Sequence, residues 1–183
     1  MDIYKLKFTG LQRDLLEFLF DYPTTKFSER ELSRRLNVSP TGISKAIRAL
    51  EKMGLVKIGK NFMLEVRLNT DNDRSEHMWG IKRVSNLGKI YSSGLFSALF
   101  YSLPGRTIIL FGSYSHGEDI ESSDIDIAVI GASPRNFMLK DIEKFEKALN
   151  REINIQFFDW DKTDKNLKES IINGIVLKGH VEL

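Results

Sequence analysis

Apolar positions fall into helix-spaced groups in the first half of the chain and strand-like runs in the second. Leu11, Leu15, Leu16 and Leu19 recur at helical spacing and predict an amphipathic helix over about 10–21, ended before Pro23. Ser28, followed three residues later by Glu31, reads as a capping box opening a short helix with Leu32, Leu36 and Val38 on its apolar side. Asn37-Val38 forms a turn. Ser39-Pro40 then restarts a helix with a hydroxyl cap and a proline in its first turn. Ile43, Ile47 and Leu50 face inward along it, and Gly54 closes it. Leu55–Ile58 and Met63–Leu68 read as two strands around Gly59-Lys60-Asn61.

After the polar stretch Thr70-Asp71-Asn72-Asp73, Ile81, Val84, Leu87, Tyr91, Leu95 and Leu99 predict one long helix over about 74–102, stopped by Pro104-Gly105. Gly80, Gly88 and Gly94 each cost that helix about 1 kcal/mol against alanine, and interior glycines suit close helix–helix approach. Self-association as a homodimer is therefore one expectation, and simple packing between two domains is another. Thr107–Phe111 is a continuous apolar run that predicts a buried strand, and Asp124–Ile130 predicts a second. An amphipathic helix over 141–150, an alternating strand over 152–158, a helix over 162–172 and a short strand over 175–177 complete the pattern.

Composition narrows the classes. The chain has 183 residues, 42% hydrophobic and 28% charged, which supports folded cores and argues against disorder. It has no cysteine, which excludes disulfides, thiolate zinc sites and cysteine nucleophiles. No apolar run approaches the ~20 residues of a membrane span, and the start of the chain lacks a signal-peptide layout, so a cytoplasmic protein without membrane association is expected. Residues 1–70 carry 13 Lys/Arg against 8 Asp/Glu, whereas 71–183 carry 14 against 17. A basic N-terminal part thus precedes an acidic one.

Two short helices joined by a tight turn and followed by a hairpin resemble the winged helix-turn-helix family over most of 10–68. The resemblance implies binding of double-stranded DNA through the third helix. Ser39, Thr41, Ser44, Lys45 and Arg48 would approach bases or phosphates, joined by Lys60 on the wing. Arg34, Arg35, Lys57 and Arg67 would neutralise flanking phosphates. A protein–protein module is the bland alternative, because winged helices also serve that purpose.

The first C-terminal strand opens onto Gly112-Ser113, and the second begins, after Ser123, with Asp124-Ile125-Asp126. Alternation along a strand would place Asp124 and Asp126 on one face. Two carboxylates so placed suit a hard cation that takes oxygen ligands, and a glycine-serine pair at a strand end suits phosphate oxygens. This pattern resembles the nucleotidyltransferase superfamily of the DNA polymerase β type, in its minimal branch, over about 105–183. The resemblance implies that Asp124 and Asp126 are catalytic residues holding Mg²⁺ or Mn²⁺, with Gly112 and Ser113 binding a nucleoside triphosphate. Active members carry a third carboxylate on the next strand, as metal ligand and general base. The matching position here is Asn154, with Glu152 on the same face about 6–7 Å away as a substitute if the register differs.

The expected fold class is α+β, with a winged helix over 1–70, a connecting helix over 71–104 and a nucleotidyltransferase-like domain with a mixed sheet over 105–183. Two functions stay open: nucleotidyl transfer from a magnesium-bound nucleotide to an acceptor, or a DNA-binding transcriptional regulator whose C-terminal domain is a non-catalytic nucleotide sensor or oligomerisation scaffold. The minimal branch also resembles partners of small helical toxins, which leaves a toxin-like partner open. His116 reads as a solvent-exposed loop residue, His77 and His180 lack ligand spacing, and Trp79 and Trp160 read as packing residues.

Overall fold

A computed structural model describes residues 8–60, 64–70, 75–131 and 139–181, with backbone alone described at 60, 75 and 76. The chain divides after Met78 into two compact units. Among the described residues, no helix is long and apolar enough to cross a membrane.

The N-terminal unit is built by its caps. Helix α1 (Gly10–Asp21) starts at a capping box in which Thr9 accepts from the Gln12 backbone and Gln12 returns a bond to Thr9. Helix α2 (Glu29–Arg35) is capped by Ser28, whose hydroxyl accepts from the Glu31 backbone at 3.2 Å. Asn37, in the left-handed region at φ 53°, turns the chain into α3 (Pro40–Lys52), which is capped by Ser39. Gly54 at φ 77° ends that helix, as its sequence position predicts. Strands β2 (Val56–Lys60) and β3 (Leu64–Leu68) form the expected antiparallel hairpin. A two-residue strand β1 (Phe27–Ser28), too short to leave a periodic signal, pairs with β3 and makes the sheet three-stranded. Leu15, Leu19, Leu32, Ile43, Ile47, Leu50, Val66 and Leu68 are completely buried around these elements.

The helix expected over 74–102 is two helices, α4 (Ser75–Ser92), most of which belongs to the C-terminal unit, and α5 (Leu95–Ser102). Gly94 adopts φ 84°, which no helix interior permits, and the Ser93 hydroxyl accepts from Leu95 N–H as α5 begins. The apolar stripe is also displaced from the predicted one. Val84 is 71% and Tyr91 48% exposed, while the buried line along α4 runs Met78, Lys82, Asn86, Ile90. Gly80 and Gly88 face open space, so neither serves a close helix contact.

Strands β4 (Thr107–Phe111), β5 (Ile125–Ile130), β6 (Ile153–Phe158) and β7 (Ile175–Lys178) form a mixed sheet ordered β6-β5-β4-β7. Strand β5 runs antiparallel to β4 and parallel to β6, and β7 is antiparallel to β4. Ile108, Leu110, Ile125, Ile127 and Val129 cover one face and pack with Ile90, Leu95, Leu99 and Leu149, the last from α7 (Ile142–Leu149). Ile109, Phe111 and Ala128 cover the other and pack with Ile171 of α8 (Lys165–Ile172). Both aspartate positions of the sequence motif lie at the end of β5 nearest α6 (Gly112–His116), the five-residue helix that follows β4.

Candidate functional site

The site is assembled where β4 turns into α6. Phe111, the last residue of β4, is paired with Asp126 across the antiparallel ladder. The chain leaves the strand through Gly112 at φ 71°, a conformation that favours glycine. A Cβ at that position would stand 2.7 Å from Asp126 Oδ2. The missing side chain therefore makes room for the carboxylate as well as allowing the turn. Ser113, half-buried, follows in the first turn of α6.

On the other side of Asp126 lies Asn154, its register partner on the parallel strand β6. The Asn154 side-chain N–H donates to Asp126 Oδ1 at 3.1 Å. Gly112, Asp126 and Asn154 thus form a row across three adjacent chain segments, with a neutral amide where the resemblance called for a carboxylate. This register fixes which residue faces Asp126, a point that spacing alone left open between Asn154 and Glu152.

Asp124 sits differently from the expectation of two acids within one strand. Strand β5 begins at Ile125, so Asp124 precedes it, in the loop and exposed. The Ile125 N–H donates to the Glu152 carbonyl at 2.8 Å, which sets Asp124 beside Glu152. These two residues, with Glu121, Glu143 and Glu146, line an open cavity of about 710 Å³ that also takes in Lys147 and Arg151. Gly112, Ser113, Asp126 and Asn154 are not among the residues that line this cavity. Among the described residues, no three His, Cys, Asp or Glu side chains gather closely enough to hold a metal ion, and Glu152 completes no such group.

Behind the site lies a buried polar cluster that apolar periodicity could not reveal. Asp119, 1% exposed, accepts from Lys82 Nζ at 2.8 Å and from Asn86 Nδ2 at 2.7 Å on Oδ1, and faces Arg151 Nη2 at 3.5 Å with Oδ2. Burial lowers the Lys82 ammonium pKa below its ordinary value, a shift opposed by Asp119 and reinforced by Arg151 and Lys89. The signal available in sequence was Lys82 and Asn86 at helical spacing with Met78 and Ile90.

In the N-terminal unit, Thr41, Lys45 and Arg48 lie exposed along one side of α3. Ser39 is engaged in the cap, accepting from the Gly42 N–H at 3.1 Å, and Ser44 donates to Glu29 at 3.4 Å. Arg35 pairs with Glu31 at 2.9 Å and lies over the Phe18 and Phe27 rings, so it braces the fold rather than projecting as a free cation. The Lys60 side chain and the Asn61–Met63 tip of the wing lie outside the described residues. Trp160 packs with the α8 core and under Lys168, and Lys82 Nζ lies 5.8 Å from the Trp79 ring centroid, as packing residues should.

A family model described as polymerase beta, nucleotidyltransferase, matches residues 105–182. Residues 105–182 are a polymerase β-type nucleotidyltransferase domain. A model of the HTH domain matches residues 11–61, so a helix-turn-helix domain precedes the nucleotidyltransferase domain. A comparison with curated proteins returned no match. The row of Gly112, Asp126 and Asn154 therefore lies inside the matched nucleotidyltransferase domain, and α3 inside the matched helix-turn-helix domain.

Proposed function

We propose that this chain is a DNA-binding regulator whose nucleotidyltransferase domain holds a magnesium-bound nucleoside triphosphate without transferring it. The observation that carries this reading is Asn154, set in register beside Asp126 with its amide donating to that carboxylate. A carboxamide takes up no proton near neutral pH, so no base on β6 is available to an acceptor hydroxyl.

The donor set fits one hard cation. Asp126 has room made by Gly112, the Asn154 amide has an oxygen to offer after rotation, and Asp124 stands just before the same strand. Mg²⁺ is often held by one or two carboxylates together with substrate phosphates. When bound, Mg²⁺ or Mn²⁺ would neutralise phosphate charge. Gly112 lets the backbone approach the phosphates without a side chain between, and Ser113 adds a hydroxyl.

Calorimetric titration of Mg-ATP, then of the other nucleoside triphosphates, tests the reading beside an assay for transfer of an α-labelled nucleotide. Saturable binding, weakened about tenfold or more in Asp126→Asn, is expected, with no transfer by the wild type. Labelled product from the wild type would return the chain to the enzymes.

For the helix-turn-helix domain, the support is the exposed line Thr41, Lys45, Arg48 on α3 within the basic N-terminal 70 residues. Each cation that meets a phosphate contributes about 0.9 to the slope of log affinity against log salt. Lys45→Ala/Arg48→Ala is expected to weaken binding to a random-sequence duplex and to flatten that slope by about 2. Fluorescence anisotropy across a salt series measures both. An unchanged slope would reassign α3 to protein contacts.

A further inference from the structure

The buried carboxylate of Asp119 joins the segments that carry the nucleotide site. Asn86 Nδ2 bonds both Asp119 Oδ1 and, at 3.0 Å, the carbonyl of Tyr114, which directly follows Gly112-Ser113. Lys82 Nζ bonds the backbone carbonyl of Asp119 as well as its side chain. Asp119 begins the stretch that leads to Asp124 and Asp126. Arg151, facing Oδ2, enters the strand that carries Asn154. Backbone packing supports the same junction. A Cβ on Gly117, at φ 79°, would stand 2.5 Å from the Trp79 carbonyl and 2.7 Å from the Arg83 nitrogen of α4.

Stability alone is a poor reason for this arrangement. Buried ion pairs are often replaceable by apolar groups of similar volume at little or no cost. Burial of Lys82 works against its charge even beside Asp119. What the cluster supplies is a fixed spacing between α6, the start of β5 and the start of β6, all referred to α4.

We propose that Lys82, Asn86 and Asp119 are positioning residues of the nucleotide site, setting nucleotide affinity from within the interior, where they meet no ligand. All three are at most 2% exposed. The inference rests on the nucleotide-binding reading above, and extends it to Asp119 and to Lys82 and Asn86 of α4, which precede the matched residues 105–182.

The test uses the full chain, with Lys82→Met/Asp119→Leu, which removes the Lys82–Asp119 pair while keeping apolar volume and also ends the contact of Asp119 with Arg151, and Asn86→Leu, which leaves both ion pairs and cuts the bonds of Asn86 to Tyr114 and to Asp119. Thermal midpoint, duplex binding and the Mg-ATP dissociation constant are measured on each, the last well below the midpoints. Both variants are expected to fold and to bind duplex as the wild type does. Mg-ATP affinity should fall about tenfold in the double variant and severalfold in Asn86→Leu, with a higher Mg²⁺ concentration needed for half-saturation. A purely structural cluster would shift the midpoint and leave the affinity of the folded protein unchanged, which overturns the proposal. Failure of both variants to fold would likewise assign the cluster to stability and overturn it. If the wild type binds Mg-ATP and the folded variants bind it equally, the positioning role alone falls. If the wild type binds no nucleotide, the reading beneath it falls too.

Discussion

Gly117→Ala is expected to destabilise the C-terminal unit by about 3 kcal/mol or more, read as a lower denaturant midpoint for the full chain. Two costs act together. The residue sits at φ 79°, where an alanine is disfavoured by about 1–2 kcal/mol. Its new methyl carbon would also meet backbone atoms of α4, the Trp79 carbonyl at 2.5 Å and the Arg83 nitrogen at 2.7 Å. Backbone of a regular helix gives way less easily than a side-chain tip, so relief requires α4 to move from the loop. Overpacking of this kind typically costs about 1–3 kcal/mol. Gly88→Ala is the matched control: it lies inside α4 with nothing near its Cβ position, and should stabilise by about 0.5–1 kcal/mol. Equal midpoints for the two variants would show that α4 does not pack on the Gly117 loop as described.

That contrast also explains what the sequence could and could not disclose. Glycines at 80, 88 and 94 look alike in the chain, yet one alone takes a left-handed conformation and splits the helix, and the close helix contact belongs to Gly117 in a loop. Apolar periodicity puts Val84 and Tyr91 on the buried side of α4, because it takes every apolar residue as inward-facing. The inward line includes Lys82 and Asn86, whose burial depends on Asp119, a partner 33–37 residues away. A polar cluster satisfied by distant partners leaves no pattern of apolar residues, only the helical spacing of Lys82 and Asn86 with Met78 and Ile90.

Local chemistry was legible wherever one segment determines its own structure. Ser28 and Ser39 cap their helices through their own hydroxyls, and Gly54 ends α3, since caps and αL positions need only neighbouring backbone. The strand-turn geometry at Gly112 and the apolar run before it were legible for the same reason. The bond of Ser44 to Glu29 was not legible, because Glu29 comes from another helix. Asp124 was placed on the strand by alternation, whereas the strand starts one residue later.

The second large effect is expected from Asn154→Asp, and its sign depends on metal. In the wild type the amide N–H donates to Asp126 Oδ1 at 3.1 Å, so the pair is neutral plus anion and mutually satisfied. The substitution removes that donor and sets a second carboxylate against the first at hydrogen-bond distance. Without a cation, two such acids cannot both ionise freely, and one pKa is pushed up. The variant should therefore have a lower thermal midpoint than the wild type in EDTA at neutral pH, and the deficit should shrink as pH falls and one carboxylate takes a proton. Mg²⁺ reverses the effect, because a ligand that binds the folded state preferentially stabilises it by mass action. The variant's midpoint should thus climb with Mg²⁺ more steeply than that of the wild type. A positioned general base contributes about 10²–10⁴-fold to a rate. If Gly112, Ser113 and Asp126 already hold a nucleotide, the introduced carboxylate should produce measurable transfer of an α-labelled nucleotide where the wild type gives none. A variant whose midpoint ignores Mg²⁺ would mean that the row Gly112, Asp126, Asn154 does not face a cation at all, and the nucleotidyltransferase domain would then serve as a scaffold.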